Sequence, residues 1–416
     1  MAILALPDQS HQDSPPPAVP VKPGRIVAID AVRGLLICLI AIGHGQILLN
    51  DSESNRWFSL LITKVTNLGT PAFTLISGLL LGYFECTHSD FRPVRRKYFI
   101  RGLQLLTIAH LLIATGTAPL RQEASFGEIC LRYWYITDTL AILFMVLPTL
   151  IPRVCPPARI LIGAVCLLSW MIASLFPPLS SPLLLVMKEL SFGVSPGGNH
   201  LLEDTYPIIP LAGLFLIGTV LGNAFAGSLA GGRLERFVAT LRKSVAPLML
   251  LSGFLLGLWA WGKVHPESLW GGYLRTLFYP DKLSSLLPFY LATLFLILTH
   301  FMVKIEIRGQ SGWREKFLAP IGRNSLFAYV AQYFLVQTIP SLIGWRNQLN
   351  AAEMILYLGG TLMILFYFVR AYNKLFLKRW RPANKINRKA NGINIKKDVA
   401  SPFNTPELLD LKKDLW

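Results

Sequence analysis

The sequence predicts an all-α, polytopic transmembrane helix bundle of about ten spans, with both chain ends in the cytoplasm. Composition is the first observation behind this prediction. Of the 416 residues, 53% are hydrophobic and only 15% are charged, whereas a typical globular protein carries roughly 25% charged residues. This shortage of charge excludes a disordered chain and argues against an ordinary cytosolic enzyme, because so apolar a chain needs lipid around most of its surface.

Apolar segments long enough to cross a membrane are the second observation. A transmembrane helix needs about 20 mainly apolar residues. Several of the segments contain Gly or Pro, which bundled helices tolerate where neighbouring groups re-satisfy the backbone. The ten predicted spans lie near residues 27–49, 60–84, 99–116, 134–152, 159–177, 207–226, 245–264, 284–303, 318–340 and 352–376.

The distribution of positive charge is the third observation. The chain has 40 Lys and Arg residues against 23 Asp and Glu, a net charge of +17. If the N-terminus is cytoplasmic, 30 of the 40 basic residues fall on the cytoplasmic side and nine on the other, with Arg33 inside the first span. Because cytoplasmic loops carry an excess of Lys and Arg, this split predicts the N-in, C-in orientation. It also argues against nucleic-acid binding, since no single basic domain is formed.

The flanks of the apolar region predict three parts of the chain. Residues 1–24 form a polar, Pro-rich, disordered cytoplasmic leader, residues 25–380 the transmembrane domain, and residues 381–416 a basic cytoplasmic tail. The five cysteines occur in no CxxC pattern and in no Cys/His spacing typical of metal ligands. The sequence therefore predicts neither a disulfide framework nor a metal site.

The first predicted span carries ionisable residues that are costly at membrane depth. Asp30 and Arg33 are three residues apart, so they can pair on a helix. Arg33 and His44 are eleven apart, which is about three turns and roughly 16 Å along one helix face. One stripe thus holds an anion-binding group and a proton-handling group. The alternative is that Arg33 snorkels or pairs with Asp30, while His44 only forms a hydrogen bond inside the bundle.

These residues also carry a resemblance to a known group of enzymes. The pattern of Asp30, Arg33 and His44, followed by a helix containing 73–78 (FTLISG), resembles the integral-membrane acyltransferase 3 family. It is similar as well to the related branch of heparan-α-glucosaminide N-acetyltransferase-like and glucan succinyltransferase proteins. The resemblance continues in the basic residues before the third span and, more weakly, in segment 322–329 (GRNSLFAY) with Gln332.

The resemblance implies transfer of an acyl group, usually acetyl from acetyl-CoA, to a sugar of a cell-envelope or exported glycan. Imidazole chemistry fits, since acyl transfer to a hydroxyl needs a base near neutral pH; His44 could be that base or could carry the acyl group covalently. The expected partners are the lipid bilayer, acyl-CoA and a glycan or glycolipid acceptor, in a bacterial inner (plasma) membrane. The expected site residues are His44 for catalysis, Arg33, Lys97 and Arg101 for the donor phosphates, and Asp30, Ser77 and Asp138 in support.

Two histidine or carboxylate candidates outside the first span have open interpretations. Asp138, near the start of the fourth span, could orient His44 or bind a sugar hydroxyl, or it could cap its helix or pair with a buried Arg. His110, midway through the third span, is a weaker second histidine candidate, and a packing role is preferred for it.

Two other classes of protein compete with the acyltransferase. A secondary transporter or flippase would also contain ionisable residues and broken helices inside the membrane. Transporters often carry internal repeats, and the Asp-Arg-Gly and His pattern of the first span has no second copy. A membrane assembly protein without catalysis would tolerate replacement of His44.

Overall fold

The computed structural model describes residues 25–120, 124–173, 181–193, 201–202, 206–278 and 283–377. Within these ranges the chain is α-helical, which confirms the predicted all-α fold class. The predicted leader and tail lie outside the described residues. The chain divides into two units between Val369 and Arg370; the description below concerns the first, apart from residues 370–377. The predicted boundaries at residues 24 and 380 stay predictions.

Up to Ala230, the residues that the structure describes form ten α-helices. Three short 3₁₀ turns interrupt this run: Gly45–Leu48, Ala118–Leu120 and Ile151–Arg153. The helices are α1 Val27–His44, α2 Glu53–Thr66, α3 Gly69–Thr87, α4 Arg92–Gln104, α5 His110–Thr117, α6 Phe126–Arg132, α7 Ile136–Leu150, α8 Pro156–Ala173, α9 Pro182–Phe192 and α10 Ile208–Ala230.

The second half continues with eight more helices. These are α11 Leu234–Lys243, α12 Val245–Val264, α13 Leu269–Leu277, α14 Leu287–Phe301, α15 Trp313–Arg323, α16 Ser325–Tyr333, α17 Ile339–Leu342 and α18 Ala351–Tyr372. Four helical stretches are π-helical, a geometry that is frequent at functional sites. They are Leu105–Ala109, Met302–Ile307, Phe334–Thr338 and Asn373–Leu377.

Eight helical segments of the described ranges are long and apolar enough to cross a membrane, by length and composition. They coincide with eight of the ten predicted spans. The other two predicted spans correspond to α8, a shorter apolar helix, and to the segment around 318–340, which is divided into α15, α16, a π-helical stretch and α17. The count of ten and the N-in, C-in orientation stay predictions.

Helices α3 and α10 cross with their backbones in close contact. A Cβ at Gly78 would overlap the carbonyl oxygen of Phe215, and a Cβ at Gly218 would overlap that of Leu75. Gly82 and Gly222 repeat the arrangement one turn along. Small residues four apart are typical of membrane helices whose backbones touch. This spacing is visible in the sequence and could have predicted the contact.

A buried ion pair joins α3 to α8 at the end of this crossing. The Arg159 guanidinium donates to both carboxylate oxygens of Glu85, at 2.7 and 2.6 Å. It also donates to the carbonyls of Val154 and Ile151, each at 2.7 Å. Glu85 is therefore a partner in a bidentate pair, the strong form of this interaction.

Helix α1 is positioned from both its side and its N-terminus by the chain after residue 300. A Cβ at Gly34 would overlap the carbonyl oxygen of Leu318, and one at Gly322 would overlap that of Asp30, so α1 and α15 touch backbone to backbone. The Glu306 carboxylate accepts the Ala28 N–H at 3.0 Å. A carboxylate at a helix N-terminus stabilises the exposed N–H groups and the helix dipole.

Candidate functional site

The candidate site lies along the contact between α1 and α16. Arg33 and His44 are three turns apart on α1, and Ser325 and Gln332 are seven residues, about two turns, apart on α16. The Arg33 guanidinium donates to the Ser325 hydroxyl, and His44 forms its hydrogen bond with Gln332. The short helix α16 therefore contacts both ends of the ionisable stripe on α1.

Arg33 forms no salt bridge with a carboxylate within the part of the chain that the structure describes, and Asp30 acts on it only through longer-range electrostatics. Apart from Ser325, its guanidinium lies over the Phe73 ring, 5.5 Å from the centroid. Its Nε is buried and forms no hydrogen bond. Asp30, the possible partner inferred from the sequence, instead accepts from Arg25 at 2.5 Å. Arg33 is thus a half-buried cation whose charge is incompletely compensated, and such a group favours an anionic ligand.

The other two predicted donor-binding residues lie on α4 near Arg33. Arg101 is within electrostatic range of Arg33 and of Lys97, one turn earlier on α4. Both α4 side chains are exposed. Like charges at this separation repel, so the three residues form a positive cluster that an anion would stabilise.

Ser77 is buried and acts within its own helix. Its hydroxyl donates to the Phe73 carbonyl at 2.8 Å, one turn back along α3. This local bond is common for Ser in membrane helices. Ser77 lies one turn from the ring that contacts Arg33, and within the described residues it makes no direct contact with Arg33 or His44.

His44 is half-buried at the C-terminal end of α1, between an amide and two tyrosine rings. Its Nδ1 lies 3.2 Å from Oε1 and 3.1 Å from Nε2 of Gln332. Tyr333 and Tyr329 present their rings edge-on, with centroid distances of 5.0 and 6.3 Å. When Nδ1–H donates to Oε1, the ring keeps an unprotonated Nε2 for chemistry.

Asp138 contacts His110 rather than His44. Its Oδ2 lies 2.9 Å from His110 Nδ1 and accepts the Tyr135 N–H at 2.9 Å, which caps α7. His110 Nε2 donates to the Cys130 carbonyl at 3.1 Å. The side chain that fixes His44 is Gln332, and Asp138 belongs to a neighbouring buried cluster.

Tyr333 is the residue of the site that sequence reasoning missed. Polar and aromatic side chains recur at Ser325, Tyr329, Gln332 and Tyr333, which is the spacing of one helix face. That periodicity was available in the sequence. It indicates a polar face on an otherwise apolar helix, but it does not indicate which helix this face contacts.

Comparison with known families identifies the chain. Residues 25–256, more than half of its length, match the model of the catalytic domain of heparan-alpha-glucosaminide N-acetyltransferase. The chain belongs to this family. The activity that this membership implies is that of an acetyltransferase, a transferase. The resemblance to acyltransferase 3 and glucan succinyltransferase proteins stays a prediction. No curated protein matches the chain.

The matched residues cover only one side of the candidate site. Arg33, His44 and Asp138 lie inside the match, whereas α16, which supplies Ser325 and Gln332, follows it. Within the described residues no group of three or more His, Cys, Asp or Glu side chains could hold a metal ion.

Proposed function

We propose that this chain transfers an acyl group, in the first place acetyl, from acyl-CoA to a hydroxyl or amine of a glycan. The observation that carries the proposal is the α1–α16 contact, where an incompletely compensated Arg33 and an amide-held His44 share one helix stripe. An acyl-CoA has phosphates at one end and a thioester at the other. The phosphates match the cationic Arg33, and the thioester matches His44, which can act as a base or a nucleophile.

The donor end of the site is the positive cluster of Arg33, Lys97 and Arg101. A guanidinium binds phosphate through two parallel hydrogen bonds, and a lysine ammonium adds charge without that geometry. The bound phosphates would add hydrogen-bonded negative charge to Arg33, which Asp30 reaches only through longer-range electrostatics. A pantetheine arm is about as long as the roughly 16 Å that three helical turns place between Arg33 and His44.

The acyl step takes place at His44 Nε2. As a base, Nε2 removes the proton of an acceptor hydroxyl while the oxygen attacks the thioester carbonyl; the C–S bond then breaks and the thiolate takes the proton from the imidazolium. As a carrier, Nε2 itself attacks the carbonyl and the C–S bond breaks; the acceptor oxygen then displaces the imidazole, and the hydroxyl proton passes to the CoA thiolate. In both routes Gln332 fixes the ring through Nδ1.

The predicted orientation agrees with this direction of transfer. A cytosolic donor would first meet the basic cytoplasmic loops, whose excess of Lys and Arg is the basis of the N-in, C-in prediction. The acceptor would then approach His44 from the opposite side, as expected for an exported or cell-envelope glycan modified at a bacterial inner membrane. An acceptor bearing an amine, as in a glucosaminide, has to lose its ammonium proton first.

The test uses the full chain in detergent with radiolabelled acetyl-CoA, and glucosamine and glucose as acceptors. His44→Ala should reduce label transfer at least about a hundredfold, the lower end for loss of a general base, while CoA binding by calorimetry stays unchanged. His265→Ala is the matched control, because this exposed histidine lies at the end of α12, where its ring stacks on Trp261 of the same helix. Normal transfer by His44→Ala would contradict the role of His44, and wild-type protein that binds no CoA would favour a transporter or flippase.

A further inference from the structure

A second ionisable pair lies inside the bundle and takes no part in the proposed transfer. His110, at the start of α5, and Asp138, in the first turn of α7, are joined by a 2.9 Å hydrogen bond. The Asp138 side chain is fully buried, and its Oδ1 has no hydrogen-bond partner. Ionisable groups at membrane depth are costly, and by default they indicate function rather than packing.

Hydrogen-bond accounting shows that the two residues act as one unit. Both ring nitrogens of His110 face acceptors, Asp138 Oδ2 and the Cys130 carbonyl. A neutral imidazole can donate from only one nitrogen. Either the ring is an imidazolium beside a carboxylate, or a neutral ring accepts from a protonated carboxyl. In both states the pair has no net charge, and His110 makes both of its hydrogen bonds, one to Asp138 and one to the Cys130 carbonyl. Removal of either residue leaves the other without its hydrogen-bond partner.

Aromatic rings connect this pair to His44. The His110 ring lies 5.5 Å from that of Tyr135, Tyr135 lies 6.3 Å from Tyr333, and Tyr333 lies 5.0 Å from His44. Asp138 also holds the backbone of Tyr135 through its N–H. The pair therefore fixes Tyr135 at two points, its ring and its backbone.

Two members of this ring series, His110 and Tyr333, adjoin irregular helix. The π-helical stretch Leu105–Ala109 ends immediately before His110, and Phe334–Thr338 begins immediately after Tyr333. The Thr338 hydroxyl donates to the Gly116 carbonyl at 2.9 Å and so ties the second stretch to α5. π-helical turns re-aim the side chains beside them and are frequent at functional sites.

We propose that His110 and Asp138 are positioning residues, which hold Tyr135 and Tyr333 against the His44 ring and so orient it for acyl transfer. This inference rests on the proposed function of His44. It assigns the pair no contact with the donor or the acceptor.

The test separates positioning from folding with three full-length variants in detergent. His110→Leu leaves Asp138 buried without its partner, so this variant should fold poorly. The double variant with His110→Leu and Asp138→Asn removes the unpaired carboxyl, and its amide oxygen still caps α7 at Tyr135. Asp138→Asn alone keeps both hydrogen bonds of His110, because an amide N–H can donate to the neutral ring, and it gives up only the bond that Oδ2 accepts from the Tyr135 N–H. The probes are acetyl-CoA hydrolysis and glucosamine acetylation, with kcat and the donor KM measured separately.

The expected result is a difference between kcat and KM. The double variant should fold and lose about tenfold in kcat with an unchanged donor KM, a loss typical when a group that orients a reacting side chain is removed. Asp138→Asn should stay within about threefold of wild type, because His110 keeps both of its hydrogen bonds and its contact with the Tyr135 ring. Wild-type kcat in the double variant would overturn the proposal and leave the pair a packing feature.

A second measurement does not depend on turnover. Diethyl pyrocarbonate modifies unprotonated imidazoles, and peptide mass spectrometry reports the rate at His44 alone. We expect a several-fold faster rate in the double variant, because Tyr333 no longer covers one edge of the ring, and a wild-type rate in Asp138→Asn. Equal His44 rates in all forms would overturn the positioning role. If wild-type protein transfers no acyl group but the rates differ as expected, the proposed function fails while the structural link stands.

Discussion

Two regions of the molecule each contain a close, glycine-lined helix contact and an arginine. The two arginines differ in how fully their charge is paired. In the scaffold region, formed by α3, α8 and α10, Arg159 has a bidentate carboxylate and two carbonyls. In the site region, formed by α1, α15 and α16, Arg33 has one hydroxyl and one aromatic ring. The scaffold region satisfies its own charge, whereas the site region leaves a charge for a ligand to satisfy.

This difference separates residues that stabilise the fold from residues that bind. Removal of one partner from a buried pair leaves an uncompensated charge and destabilises the protein. Removal of a cation that forms no salt bridge leaves no carboxylate without a partner. The expected effect is then a loss of ligand affinity and not of stability. Sites that bind or catalyse often retain such locally unfavourable arrangements.

The largest expected effect comes from forcing the scaffold crossing apart. In Gly78→Leu the new side chain would overlap the Phe215 backbone, which cannot move without separating α3 from α10. Overpacking costs about 1–3 kcal/mol even where side chains can give way, so we expect no monodisperse protein by size-exclusion chromatography. Gly253→Leu in α12 is the control, because no atom lies within 4 Å of a Cβ there. Two equally well-folded variants would show that the crossing is not required.

The second prediction compares the two arginines by one substitution. Arg159→Met leaves Glu85 without its partner and should lower the free energy of unfolding by about 3 kcal/mol, as for a broken buried pair, with CoA affinity unchanged in the folded fraction. Arg33→Met should leave the thermal unfolding midpoint unchanged or raised and weaken CoA binding at least about tenfold, the equivalent of one charge-assisted contact. Thermal unfolding and calorimetry measure both. The comparison fails if the two variants lose stability and affinity to the same extent.

The fold class could be predicted from the sequence because lipid imposes a strong constraint on composition. Ten apolar segments were visible, and each coincides with helix in the described ranges. The break at Asn324, which separates α15 from α16, was less visible, since 318–340 is mainly apolar and its polar residues 323–325 were counted inside one predicted span. Hydropathy reports the depth of a residue in the membrane but does not report where a helix is interrupted.

The site could be predicted along one helix but not across helices. The eleven-residue spacing correctly places Arg33 and His44 in one stripe, because helical geometry is local. The partners could not be predicted: Gln332 lies 288 residues from His44, and Asp138 had several possible partners before the structure joined it to His110. Spacing within a helix determines which residues share a face, and only packing determines what that face meets.

The third prediction asks whether α16 contributes chemistry or only packing. Gln332→Leu removes the group that holds His44 Nδ1 and should lower kcat about tenfold, as for other residues that orient a reacting group, with CoA affinity unchanged. Gln337→Leu, five residues further along, is the control, because the Oε1 of Gln337 is buried without a hydrogen-bond partner and its loss leaves nothing unsatisfied. Steady-state kinetics measure kcat, and calorimetry measures the CoA affinity. Equal kcat values for the two variants would make Gln332 a packing residue.

The smallest expected effect tests the exposed end of the positive cluster formed by Arg33, Lys97 and Arg101. Lys97 is exposed on α4 and interacts electrostatically with Arg101, so it would contact a donor phosphate only through solvent-screened charge. Lys97→Ala should raise the donor KM about threefold at low salt, in the range of surface ion pairs, and the difference from wild type should vanish as ionic strength rises. Lys243→Ala, an exposed lysine at the end of α11, should leave the KM unchanged at every salt concentration. If the Lys97 effect persisted at high salt, the lysine would hold a desolvated phosphate directly and not through solvent-screened charge.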